Sequence, residues 1–137
     1  MTASISDLDQ LLKHLQPAMH PRAVAFCQFP PDADTESIPF LGLFREAEGV
    51  TAVVYEDVAT QRGWKVAFRA AWITLMVHSD FEAVGLTAAV AGALTAAGIS
   101  CNVIAAVHHD HLFVPVEQGH AALAILQKLQ RGDHPKR

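Results

Sequence analysis

The segment Ile73–Val116 constrains the fold of this chain most, because its apolar residues change from the period of a strand to that of a helix and back. Apolar and polar side chains alternate at its start, which predicts a strand with one buried side. Residues 79–82, Ser-Asp-Phe-Glu, match the capping box and predict that a helix begins there. We expect this helix to end at Ala97, with Gly98 as a left-handed terminator. Its predicted buried stripe comprises Leu86, Val90, Leu94 and Ala97.

Two more strands and a second helix follow this unit. The predicted strands Ser100–Val107 and Leu112–Val116 flank a turn at His108–His111, and the predicted helix is Glu117–Gln130. Residues 73–130 thus supply β-α-β-β-α, five elements of the six-element split βαβ plan. The missing element is an edge strand, and an unpaired edge is a template for aggregation. We therefore predict that a strand from the first half of the chain fills this place and interlocks the halves.

The first half has its own set of predicted elements. In order, they are a helix at Ile5–Gln16, a strand at Arg22–Phe29, a loop at Pro30–Pro39, strands at Phe40–Glu46 and Val50–Glu56, and a short helix at Asp57–Gly63. The stretch Lys65–Ser79 is long for one strand. We expect it to bend near Ala70 and Ala71, so that it serves one sheet before the bend and another after it.

Composition excludes several classes of function. The formal net charge is -4 and the only basic cluster is the tail 131–137, so a nucleic-acid partner is not expected. Charged residues make up only 18%, which favours a homo-oligomer that covers part of the surface. Residues 1–16 lack the pattern of a signal peptide, and no window is apolar enough for a membrane span, so we expect a cytoplasmic protein. Cys27 and Cys101 are expected to be reduced thiols.

The predicted strand-to-helix junction favours a small anion. The N-terminus of a helix offers free N–H groups and a positive dipole end, and Gly85 lets a ligand approach the backbone there. We predict Val84, Gly85 and Leu86 as contacts of a ligand carboxylate, and Asn102 as an acceptor for its ammonium group. Two alternatives remain open: Gly85 permits close packing of helix against strand, and Asn102 bonds to the backbone at a strand start.

The histidine-rich turn is compatible with three interpretations. His109 and His111 are predicted secondary ligand contacts, and they are also the centre of an alternative metal site for which His78 and Glu117 are further candidates. The third interpretation is a structural turn nucleated by Asp110. We expect no role for the other histidines: His14, His20, His120 and His134.

Two segments give the chain a family resemblance. Residues 73–116, with His109-Asp110-His111, and residues 44–51, Phe-Arg-Glu-Ala-Glu-Gly-Val-Thr, resemble the small bacterial proteins with tandem ACT domains, and the second half is also similar to the ACT domains of aspartokinases. The resemblance implies an α+β fold of two interlocked ferredoxin-like βαββαβ units, with antiparallel sheets packed against helices. We place these units at residues 1–70 and 71–131, followed by a disordered tail at 132–137.

The resemblance also implies a function. It implies a non-catalytic regulatory protein that binds an amino acid or a similar small carboxylate, forms a homo-oligomer and needs no cofactor. No arrangement typical of a catalytic triad, a phosphate loop or a dinucleotide site occurs in the sequence, so an enzyme is not expected. The alternatives are a metal-binding protein centred on His109 and His111, and a purely structural oligomerisation module.

Overall fold

The computed structural model describes residues 7–80 and 83–132. Its strands are β1 (Pro17–Met19), β2 (Val24–Phe29), β3 (Gly42–Glu46), β4 (Gly49–Tyr55), β5 (Val66–Leu75), β6 (Asn102–Ala105) and β7 (Asp110–Pro115). Its α-helices are α1 (Leu8–Lys13), α2 (Glu56–Arg62), α3 (Leu86–Ala96) and α4 (Gly119–Gln130). Short 3-10 helices lie at Thr35–Ser37 and Val116–Gln118. The fold is therefore α+β, as the sequence predicts.

One antiparallel sheet contains all these strands. Its order is β3-β4-β2-β5-β7-β6, and β1 also pairs with β5. The ten-residue strand β5 changes partner near Ala70, since its first part pairs with β2 and its second part pairs with β7 on one edge and β1 on the other. This change of partner lies where the sequence predicts a bend, but the prediction of two sheets is wrong because the hydrogen-bonded ladder is continuous across this residue.

Strand β1 interlocks the two halves. Pro17 lies opposite Leu75 and Met19 opposite Ile73, so β1 is the edge strand that the second βαββα unit lacks. The prediction that a strand of the first half fills this place is confirmed. The strand itself is not predicted, because it is only three residues long and begins at a proline, which in the sequence indicates the end of a helix.

The helices cover one face of the sheet. Helix α2 packs on Ala25 and its neighbours in β2 and β4, whereas α1, α3 and α4 pack on Ile73 and its neighbours in β5 and β7. Ala25 lies opposite Arg69, which shares a face of β5 with Ala71 and Ile73, so both helical layers lie on the same side. We call the other side the open face. Its floor contains the buried residues Val24, Val53, Ala70 and Phe113, with Phe26, Tyr55, Phe68 and Trp72 packed against them.

Helix α3 begins later than the capping box predicts. Its first residue is Leu86 and its N-cap is Gly85, which has φ 96°. A left-handed residue does not continue a right-handed helix, so a helix starting near Ser79 could not pass through Gly85 and that prediction is wrong. Phe81 and Glu82 of the predicted box lie outside the described residues. Along α3, Leu86, Val90 and Leu94 are buried as predicted, whereas Ala97 is exposed.

The other helix ends agree more closely with the sequence. Gly98, at φ 75°, follows α3, and the amide of Ile99 donates to the carbonyl of Leu94, as a glycine terminator requires. Helix α1 has its N-cap at Asp7, whose carboxylate accepts from the amide of Gln10. The predicted start of this helix at Ile5 and most of the predicted tail lie outside the described residues. Within those residues, no helix has the length and apolar character that a membrane crossing needs.

Candidate functional site

The junction between β5 and α3 is closed on one side by helix α1. A Cβ atom placed on Gly85 would lie 3.2 Å from Cδ2 of Leu8, so the space left by the absent side chain is filled by α1. Leu86 is 3% exposed and belongs to the core, whereas Val84 is 84% exposed. The three predicted contacts therefore have three different environments. At Gly85 the close approach is to helix α1, whereas the packing alternative predicts an approach of helix to strand.

Asn102 lies far from this junction in the sheet. It pairs with Phe113 and is exposed on the open face, whereas α3 covers the other face. Ala105 lies opposite Asp110, at the end of β6 that is near the junction. Asn102 is therefore at the other end of β6. The structure does not bring Asn102 next to Gly85, and contact of one ligand with both stays a prediction without geometric support.

A polar corner lies beside the junction, where β5 ends and β7 begins. Burial raises the pKa of Asp110, while His111, a hydrogen bond from Ser79 and His109 act in the opposite direction. The Nδ1 atom of His109 is buried and has no hydrogen-bond partner among the described residues. Ser79, predicted as a helix cap, thus bonds to Asp110 instead. We call Ser79, His109 and Asp110 the junction corner.

The histidine turn is displaced from its predicted centre. The turn is formed by residues 106–109, in which the amide of Ala106 donates to the carbonyl of His109 at 3.1 Å, and Asp110 already pairs with Ala105 in the ladder. A turn nucleated by Asp110 is therefore wrong, because that residue is held by strand pairing on both edges. Val107 and His108, at the tip of this turn, are exposed.

The described part of the chain contains no set of ligands for the alternative metal site. No three or more His, Cys, Asp or Glu side chains of these residues are grouped so that they could hold a metal ion. Of the predicted partners, His78 faces His108 with 6.1 Å between the ring centroids, and Glu117 lies in the short helix that follows the other end of β7. A zinc site needs about four convergent ligands, which this spread of residues does not supply.

The open face carries a hydrogen-bonded network around His111. Nε1 of Trp72 donates to Nδ1 of His111 at 3.1 Å, and Oγ1 of Thr74 lies 3.0 Å from the same Nδ1 atom. Nε2 of His20 lies 2.8 Å from Oγ1 of Thr74, and the His20 ring stacks on Trp72 at 3.5 Å. His20, for which the sequence predicts no role, is therefore part of this network.

The donors of the network fix the tautomer of His111. An indole N–H can only donate, so Nδ1 of His111 must accept, and the ring proton is on Nε2. The hydroxyl of Thr74 lies within hydrogen-bond distance of both this Nδ1 and Nε2 of His20, and its one proton can be donated to only one of them. Burial lowers the pKa of His20, and His111 lowers it further. Burial and His109 lower the pKa of His111, although Asp110 acts in the opposite direction. Both imidazoles are therefore neutral near pH 7.

A cavity of about 150 Å³ lies next to this network on the open face. It is lined by Leu41, Gly42, Val53, Trp72, Ile104, Ala106, His111 and Phe113. Gly42 belongs to β3 and Ile104 to β6, which are the two ends of the sheet order. The sheet thus curls so strongly that its opposite ends line one cavity. No local pattern in the sequence could reveal this, because the lining residues come from five strands and two loops.

Comparison with known families identifies the protein family to which the chain belongs. A family profile for the ACT domain matches residues 3–71, and a second ACT-domain profile matches residues 68–128. The chain therefore belongs to the ACT-domain family, with two domains in tandem, which confirms the resemblance seen in the sequence. ACT domains are typically regulatory ligand-binding modules, so the family supports a regulatory role. No curated protein sequence matches the chain significantly.

Solved structures share this fold. A Vibrio cholerae protein described as of unknown function and a possible transport protein is 40% identical, with a TM-score of 0.81 over 90% of this chain and 95% of that chain. An Agrobacterium tumefaciens protein is 16% identical, with a TM-score of 0.65 over 83% of this chain and 87% of that one. The regulatory subunit of aspartate kinase from Thermus thermophilus is 10% identical, with a TM-score of 0.59 over 82% and 95%. At these identities the last two show the fold alone.

Proposed function

We propose that this protein is a non-catalytic regulator that reversibly binds an amino acid or a similar small carboxylate. The observation that carries the proposal is the pair of ACT domains that together match residues 3–71 and 68–128. The similarity in fold to the regulatory subunit of aspartate kinase supports a regulatory rather than a catalytic role. The downstream partner would be a separate protein that senses the liganded state.

The junction corner is the proposed binding position. A carboxylate that is partly desolvated, as Asp110 is, becomes more stable when a ligand ammonium group lies beside it. The unpartnered Nδ1 of His109 provides a further hydrogen bond to the ligand. The free amides at the start of α3, from Gly85 onward, suit the ligand carboxylate. Among the predicted contacts, this position favours Val84, Gly85 and His109 over Asn102 and His111.

Thermal unfolding in the presence of each of the twenty amino acids tests the proposal. At a hundredfold excess over its dissociation constant, a ligand of the folded state raises the free energy of unfolding by about 2.7 kcal/mol. Asp110→Asn should weaken this stabilisation, because an amide does not offer the ammonium group a negative charge. The matched control is Glu48→Gln, which makes the same change at an exposed turn.

Two results would contradict the proposal. One is a set of unchanged melting curves across the whole panel at millimolar ligand. The other is a ligand whose stabilisation is the same in Asp110→Asn and in Glu48→Gln, which would show that the junction corner does not contact it.

Self-association is proposed as part of the same function. Several large apolar side chains are exposed on the single chain, with Phe44 72% and Val107 64% accessible. In a homo-oligomer, these side chains would be covered by the partner copy. We propose a homo-oligomer, which sedimentation velocity at several protein concentrations tests; a single monomeric species at all of them would overturn it.

A further inference from the structure

We infer that the cavity on the open face is a second ligand site, which takes a compact apolar molecule carrying one oxygen acceptor. It lies on the side of the sheet opposite α3, and its lining does not include the junction corner. The inference therefore goes beyond the proposed function and does not depend on it.

The walls of the cavity define the apolar part of the ligand. Its floor is formed by Val53 and Phe113, which are 5% and 4% exposed, together with Trp72. Its rim is formed by Leu41 and Ile104, which are 41% and 42% exposed and leave a route from solvent. No charged side chain is among the lining residues. A cavity of about 150 Å³ with aliphatic and aromatic walls accommodates a group the size of benzene.

His111 defines the polar part of the ligand. The lone pair of its Nδ1 already accepts a hydrogen bond from Trp72, and Oγ1 of Thr74 lies 3.0 Å away, so Nδ1 offers a ligand nothing further. Its Nε2, which carries the proton, is not used by the contacts with Trp72 and Thr74, and the ring lines the cavity. The site therefore presents one N–H donor against an apolar wall. A carbonyl or carboxylate oxygen next to a branched aliphatic chain or a single ring matches this arrangement.

The network holds this donor in place without help from the ligand. Stacking of His20 on Trp72 at 3.5 Å and the bond from His20 to Thr74 at 2.8 Å fix the two groups that bind Nδ1. A preorganised donor costs less to bind than one that must be ordered by the ligand. Two imidazoles, a hydroxyl and an indole are thus gathered beside the apolar wall of the cavity.

The experiment uses isocaproate, L-leucine and toluene as probes. Isocaproate is the carbon skeleton of leucine without its amino group, and toluene has the apolar group without an oxygen acceptor. Binding is followed by the indole N–H resonance of Trp72 in nitrogen-15 labelled protein. The indole of Trp64 is an internal control, because that ring packs against Phe29 in the core under α2. We expect isocaproate to shift the Trp72 resonance saturably at millimolar concentration and to leave the Trp64 resonance unchanged.

Two variants test the location and the donor. Gly42→Leu places a side chain in the cavity, since a Cβ there meets no atom within 4 Å, and it should weaken isocaproate binding by at least about tenfold. Gly92→Leu is the matched control, because a Cβ in this part of α3 is equally unobstructed and lies on the helical side. His111→Phe should weaken isocaproate about tenfold more than toluene, since loss of the Nε2–H donor affects only the probe with an oxygen acceptor, whereas loss of the Nδ1 acceptor of Trp72 affects both probes alike. Ile104→Trp fills the cavity from the other edge if Gly42→Leu does not fold.

The outcomes separate this inference from the proposed function. A Trp72 shift with isocaproate, absent in the filled variants, supports the inference even if no amino acid stabilises the protein. If L-leucine stabilises the protein but does not shift the Trp72 resonance, the amino acid binds at another position. If isocaproate also causes no shift, the inference is overturned. The inference is also overturned if no probe shifts Trp72 and Gly42→Leu dissociates an oligomer, because a second copy would then occupy the cavity.

Discussion

Replacement of Gly85 by alanine tests how the β5–α3 junction is built. Gly85 has φ 96° and ψ -14°, and it is the N-cap of α3. Only glycine adopts this conformation without a steric penalty, since a Cβ atom clashes with the backbone at positive φ. The added methyl group would also lie 3.2 Å from Cδ2 of Leu8. We therefore expect Gly85→Ala to destabilise the folded protein.

The size of the effect follows from these two contributions. A non-glycine residue in a sparsely populated region costs about 1–3 kcal/mol. The contact with Leu8 adds little, because it involves the end of a flexible side chain that can move by a few tenths of an ångström. Alanine also restricts the unfolded chain, which offsets about 0.4–1 kcal/mol of this loss. The net loss in the free energy of unfolding should be about 1–2 kcal/mol, or about 3–8 °C in the melting temperature for a chain of this size.

Urea unfolding followed by circular dichroism measures this loss. Gly92→Ala is the matched control, because it makes the same change inside α3, where a Cβ meets nothing and φ is helical. That variant should gain about 0.5–1 kcal/mol from the better helix propensity of alanine. In the Leu8→Ala background, Gly85→Ala should cost slightly less than in the native chain. If Gly85→Ala proves as stable as the native protein, the left-handed cap and the packing of α1 against it are both refuted.

Three further predictions concern the core and the open-face network. Because burial lowers the pKa of His20 and His111, the unfolded chain binds more protons than the folded one between those lowered values and about pH 6.5, so the free energy of unfolding should fall as the pH drops through this window. Urea unfolding at several pH values measures this fall, and a fall equally steep after both residues are changed to Gln would contradict it. Gly119→Ala should destabilise by about 1–3 kcal/mol in thermal unfolding, because its Cβ would lie 2.7 Å from Cβ of Ala71; unchanged stability would show that α4 shifts freely. Cys27 is fully buried, and burial raises the pKa of its thiol, so a disulfide reagent should modify it only as the chain unfolds. Modification of Cys27 within the mixing time of native protein would count against this prediction.

The sequence determines most local elements of this protein. The glycine terminator at Gly98 is confirmed at φ 75°, and the predicted stripe residues Leu86, Val90 and Leu94 are buried. These features depend on a residue and its near neighbours, so period and turn chemistry reveal them. The tandem ACT family is also visible in the sequence, because two long segments carry its pattern.

The candidate site is harder to predict because it depends on which strands become neighbours. Asn102 and Gly85 are close in the chain, but the alternation of side chains across β6 places the former on the open face. His20 and His111 are distant in sequence, yet both reach Thr74 because β1 and β7 flank the same part of β5. No local pattern encodes such a meeting.

By itself, the sequence determines the family, the order of elements and the need for an additional edge strand. Only the tertiary structure decides that this strand is Pro17–Met19, that Leu8 covers the start of α3, and that the ends of the sheet enclose a cavity beside His111. The physical reason is that hydrophobic period and turn chemistry act within a few residues. Strand pairing and sheet curvature instead result from the packing of the whole core.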